Sequence, residues 1–151
     1  MIARWIVGGW LASAGLASAA CSDNAVMVRG DFGQARFSVE VADDAQERSQ
    51  GLMHRESMAQ SSGMLFLYER TAELSFWMRN TLIELDMLFI DDKGVVQHIH
   101  HRAQPLDETP IPGGRGIAVL EINGGLAKRM GIEVGSEIQH SYFGADAGWS
   151  C

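Results

Sequence analysis

A chain of 151 residues has room for one core and is too short for two domains of ordinary size. Its 46% hydrophobic and 21% charged residues are a globular composition, which excludes long disorder and collagen-like repeats. Twelve basic residues stand against 19 acidic ones, a net charge of −7 with no basic stripe, so nucleic acid and anionic lipid head groups are repelled.

Residues 1–20 read as a secretory signal: a short basic start ending at Arg4, an uncharged apolar run from Trp5, and small residues at Ala17-Ser18-Ala19-Ala20. The apolar run is shorter than the ~20 residues of a membrane-spanning helix. The chain is therefore expected to be exported, as a periplasmic protein or one anchored to a membrane and facing the periplasm. Removing the signal takes away Arg4 and no acid, leaving 11 basic and 19 acidic residues and a net charge of −8. Cys21 follows the small residues directly. It reads either as the acylated first residue of a lipoprotein or as the disulfide partner of Cys151, the only other cysteine. The two fates exclude each other. The position directly after the small residues favours the lipid, although Ser18 stands where such signals usually carry leucine.

Residues 21–33 are polar and glycine-bearing and read as a flexible tether. A single domain is expected over 34–145, followed by a tail at 146–151. Phe37, Val39 and Val41 alternate with Ser38 and Glu40, a strand pattern. Asp43 and Asp44 with Glu47 form a helix start of capping-box type, the helix ending near Gly51. Strands are expected over 64–69 and 74–79, then a hairpin of 85–90 and 95–101 around Asp91-Asp92-Lys93-Gly94. The segment 102–116 holds all three prolines and reads as a long loop. A strand over 117–122, a short helix over 125–130 stopped by Gly131, and a last strand over 137–143 complete the pattern. About seven short strands and two short helices describe an α+β, mainly β fold, a barrel-like antiparallel or mixed sheet.

Gly51-Leu52-Met53-His54-Arg55, Gly63-Met64-Leu65-Phe66, Phe76-Trp77-Met78-Arg79-Asn80-Thr81, Leu85-Asp86 and Leu120-Glu121 follow one another in an order and spacing that resemble the bacterial and archaeal family called domain of unknown function 192. The resemblance runs from about Phe37 to Phe143. It implies a small barrel-like α+β fold, often behind a signal segment, and brings no agreed activity. One departure stands out: Glu84 occupies a position where the family usually has proline, so the chain should approach Leu85 with different bonding.

Several side chains could carry chemistry. In an extended 74–81 segment Trp77, Arg79 and Thr81 would share one face. Asp86 sits in register with Leu88 and Ile90, and Glu121 with Ile117 and Val119. An acid on an apolar face must be paired, hydrogen-bonded or placed at a rim, and Arg55 and Arg79 are the available counter-ions. The structural reading is buried pairs with Asn80 and Thr81 capping a turn. The functional reading is a polar cleft formed by Arg55, Trp77, Asn80, Thr81, Asp86 and Glu121. His98 and His100 lie two apart on a strand and could ligate zinc or, with Met53, Met58, Met64 and Met78, copper. The methionines fit an irregular core better. Pro110 to Gly116 opens a strand rather than a helix, so it is no phosphate loop. No G-x-S-x-G, H-E-x-x-H, C-x-x-C or G-x-x-x-x-G-K pattern occurs.

These features point to a non-catalytic binding module for a small polar ligand or an extracytoplasmic partner, with no cofactor. The membrane enters only through a lipid on Cys21. Periplasmic copper or zinc handling through His98 and His100 is one alternative. A hydrolase or lyase with Asp86 or Glu121 as acid or base is the other.

Overall fold

The computed structural model describes residues 21–151; the signal segment expected over 1–20 lies outside them. The elements are β1 (Ala25–Gly30), β2 (Gly33–Ala42), α1 (Ala45–Gln50), β3 (Ser62–Phe76), β4 (Leu85–Ile90), β5 (Val96–Ala103), β6 (Ile111–Asn123), α2 (Leu126–Met130) and β7 (Glu137–Gln139). All seven strands join one mixed sheet in the order β5-β4-β6-β3-β2-β1-β7. Only β2 and β3 run parallel, and α1 lies in the crossover between them. The sheet curls into a half-barrel whose edges meet at a bridge between Val95 and Glu137. Backbone bonds from Val96 to Ser136 and from Ile138 to Gly94 reinforce that seam. Closing the edges in this way removes open pairing surface.

The curl divides the apolar residues into two cores. Val28, Phe37, Leu65, Leu88, Leu120, Ile122 and Ile138 fill the inside of the curl beside α2. Met64, Phe66, Met87, Phe89 and Val119 alternate with them and point to the outer face. That face is covered by the end of β3 and the start of β6, which pair beyond register shifts at Leu67/Ala72 and Leu74/Ser75 and fold back as an arm. The arm lies so close that a Cβ at Gly113 would stand 1.8 Å from the Phe89 ring. Leu52 and Met78 seal the same core.

The helix signals hold in detail. The Asp44 carboxylate accepts from the Glu47 N–H at 2.8 Å, and Glu47 accepts from the Asp43 N–H at 3.2 Å. Four expectations change. The stretch 21–33 contains β1, not a free tether: Val26 and Val28 are fully buried and pair with Phe37 and Ala35 of β2. The strands expected over 64–69 and 74–79 are one bulged strand that stops at Phe76. The last part of the expected long loop, 111–116, is the start of β6, where Pro112 is accommodated beside the second register shift. The last strand is only three residues long, and the chain turns at Phe143.

The tail is docked as well. The Arg29 guanidinium lies 4.6 Å from the Trp149 ring and donates to the Gly148 carbonyl at 3.2 Å. Cys21 and Cys151 are joined in a disulfide across 130 residues of chain, with their Cα atoms 5.7 Å apart. This corrects the lean toward acylation of Cys21: its sulfur is bonded to Cys151, and a lipid anchor would need it free.

Candidate functional site

β6 carries Glu121 between Met64 of β3 and Met87 of β4, on the outer face of the sheet. Its side chain is 4% exposed and finds no hydrogen-bond partner among the described residues. Burial alone pushes its carboxyl up to about 8, so at neutral pH it is mostly protonated. In that form it is a donor as well as an acceptor.

The free space in front of Glu121 is a narrow slot of about 40 Å³ that opens to solvent. One wall is the end of α1 and the following loop, from Arg48 to Met53; the other is the turn after β3, with Trp77, Arg79 and Thr81. The two walls are stitched together. Asn80 has a left-handed backbone, φ 52°, and its carbonyl accepts from the His54 N–H at 2.9 Å. Thr81 is buried, with its hydroxyl donating to the Arg79 carbonyl at 3.2 Å, and its own carbonyl accepts from Leu106 N–H. Trp77 is 46% exposed at the mouth, with the Arg79 guanidinium 5.3 Å from its ring. Arg48 is held at the other side by bonds to the Asp43 and Leu67 carbonyls. Arg79 also pairs with Glu108 at 3.5 Å, so the positive charge at the mouth comes chiefly from Arg48.

The structure brings together Trp77, Thr81 and Glu121 from the expected cleft, with Asn80 fastening its walls. Arg55 is not part of it: its guanidinium makes a two-pronged ion pair with Glu40 at 2.5 and 2.7 Å, outside the slot. That pair lowers the Glu40 carboxyl and raises Arg55. Asp86 is not part of it either. Its carboxylate points inside the curl, is wholly buried, and accepts from the N–H groups of Arg102 and Gly125 at 2.9 Å and of Ala127 at 2.8 Å. Those bonds tie the end of β5 to the start of α2. Asp86 and Glu121 therefore lie on opposite faces of one sheet and share no pocket. Trp77 and Arg79 reach the slot from a turn, not from a common strand face, because β3 has ended.

His98 and His100 face outward beside Phe89 and Met87. Burial and the neighbouring His98 and His101 hold the His100 imidazole below its usual range. Among the described residues no group of three or more His, Cys, Asp or Glu side chains comes together for a metal. Met64 and Met78 are core residues. Glu84 does bond differently from proline: its carboxylate accepts from Arg102 at 2.7 Å and Gln104 at 3.1 Å. Sequence reasoning missed Arg48 and Met53 as slot residues. The only available signal was their place at the end of a capped helix, next to Gly51.

A curled, mixed seven-stranded sheet with one unpaired carboxyl beneath an aromatic turn defines a small α+β domain with a single-acid slot. The chain belongs to the family DUF192, described as "Uncharacterized ACR", which it matches over residues 27–140. It is similar to a crystal structure of a "putative transcription regulator" from Sinorhizobium meliloti 1021, at 38% identity and a TM-score of 0.75, covering 78% of this chain and 93% of that one. It is also similar to a protein of unknown function from Novosphingobium aromaticivorans DSM 12444, at 40% identity and a TM-score of 0.74, covering 87% and 99%. No curated protein matches it.

Proposed function

We propose that this chain is an exported, non-catalytic binding module that takes the small polar head of a ligand into the Glu121 slot, with the ligand's body against Trp77. The observation that carries this reading is the buried Glu121 carboxyl, which has an opening in front of it and no partner. The protein around it desolvates the charged form of this carboxyl, and the fold gives it no bond, so a ligand group entering the slot can supply the partner. A neutral carboxyl below two rim arginines suits a head rich in acceptor oxygens. Export is supported by the signal pattern of residues 1–20 and by the end-to-end disulfide, since such bonds persist in oxidising compartments.

The alternatives have less behind them. Metal handling lacks a third donor near His98 and His100 among the described residues. An acid–base pair of Asp86 and Glu121 is separated by the sheet. The regulator name of one relative implies DNA, yet the net charge of −8 beyond the signal offers little to hold phosphates.

A thermal-shift screen of the oxidised protein against a library of small polar compounds tests the proposal. At least one class should raise the melting temperature, and Trp77→Ala and Glu121→Gln should each remove that shift. A library that leaves the parent unmoved, or a shift that survives both substitutions, would overturn the slot as the binding site.

A further inference from the structure

On the far side of the sheet from Glu121, two cavities adjoin beside α2. The larger, about 380 Å³, is within the ~300–1,000 Å³ range of small-molecule sites. Its basic end is His101, Arg102 and Lys128. The smaller, about 220 Å³, continues from the shared Gly131 and Glu133 to Asp31. The groove therefore runs from positive to negative charge, with buried Ile132 in its floor and Val134, 62% exposed, at its edge.

Its basic end is built rather than incidental. Arg102 has a left-handed backbone, φ 52°, a conformation that a non-glycine residue keeps only when its surroundings enforce it. Here buried Asp86 enforces it: one carboxylate oxygen accepts both the Arg102 N–H and the Gly125 N–H, each at 2.9 Å. A Cβ at Gly125 would lie 2.5 Å from the Arg102 guanidinium, so only glycine lets that group lie flat there. Glu84 holds one guanidinium nitrogen at 2.7 Å and aims the rest. The acidic half is lined by Gly30, Gly131 and Gly135; a Cβ at Gly30 or Gly131 would press on Phe32, at 3.2 and 3.1 Å, whereas one at Gly135 would meet nothing within 4 Å. Bare backbone of this kind lets another backbone approach closely.

We propose that this groove binds a short peptide as a zwitterion. Its terminal carboxylate lies at Arg102 and Lys128, its ammonium at Glu133 and Asp31, and its backbone along the glycines. An anion alone would leave Glu133 and Asp31 opposed to it, and a cation alone would face Arg102 and Lys128.

Isothermal titration of the oxidised protein with tri-alanine, its N-acetyl form and its C-terminal amide tests this. The free tripeptide should bind, and capping either end should weaken binding at least 10-fold. In Lys128→Gln the amide should lose most of its disadvantage, and in Glu133→Gln the N-acetyl form should do so; both residues are exposed. Glu121→Gln should leave all of these affinities unchanged, which separates this groove from the slot. No binding at millimolar peptide, equal affinity for capped and free forms, or binding lost in Glu121→Gln and kept in Lys128→Gln would overturn the proposal.

Discussion

Replacing Glu121 with Gln should make the fold more stable at alkaline pH and remove the site's dependence on protons. The Glu121 carboxyl sits at about 8 in the folded protein against 4.5 for the ordinary side chain. Between those values the folded protein holds a proton that the unfolded chain has released. Stability then falls as pH rises, by about 1.4 kcal/mol per unit. Stability linked to Glu121 is fully present below pH 4.5 and is lost progressively up to about pH 8. Across the window the loss is on the order of 5 kcal/mol, and at pH 7 roughly 3 kcal/mol of it has accrued. Gln keeps the volume and polar tip and cannot ionise. Urea unfolding of both proteins from pH 5 to pH 9, with the disulfide intact, isolates this group, because every other titration is common to both. Glu121→Gln should gain on the parent by roughly 3–4 kcal/mol between pH 5 and pH 8. Parallel profiles would mean that Glu121 ionises freely or is paired, and the slot would lose its defining group.

Asp86→Ala should cost at least about 3 kcal/mol in urea unfolding, since it strands three buried or half-buried N–H groups at roughly 1–3 kcal/mol each; a loss below 1 kcal/mol would show that water replaces the carboxylate. The purified oxidised protein should be two hydrogens lighter than its reduced form by intact mass and carry no acyl group. Reduction should lower stability by up to about 5 kcal/mol for a 130-residue separation. Acyl mass on Cys21, or a stability that ignores reductant, would remove the clasp from the account.

Local signals carried most of the fold. The capping box of Asp44 and Glu47 and the stopping glycines Gly51 and Gly131 mark both helices, because caps are decided within a few residues. The apolar run of 85–90 and the turn at 91–94 mark the hairpin. Long-range pairing was not legible. Val26 and Val28 are too short a pattern to read as a strand until Phe37 and Ile138 flank them. Pro112 and its glycines read as a loop because the sequence does not disclose the bulge that accepts them. The same limit applies to the site. Alternation placed Glu121 on an apolar face, but its relation to Arg55 depends on where the 51–62 connection travels, and Glu40 claims that arginine first. Arg48 is invisible for the same reason.

The two buried acids form a controlled comparison within one sheet. Asp86 is paired in register with Ile122, and Met87, the next residue, with Glu121. One step along the chain reverses the face, so the acids sit close in register yet meet different surroundings. Asp86 meets the start of α2 and the end of β5, where three N–H groups need an acceptor; its charge is used to hold backbone together. Glu121 meets a loop and a turn whose donors already serve Asp43, Leu67, Arg79 and Asn80. Among the described residues, none bonds its carboxyl. Its neighbours Met64 and Met87 show what the position accepts when only packing is at stake. A methionine there would pack, would carry no ionisation penalty, and would close the slot. An acid retained at such a place, neutral and facing an opening, lowers the stability of the empty protein. On the proposed reading, a bond to a ligand that enters from outside offsets that loss.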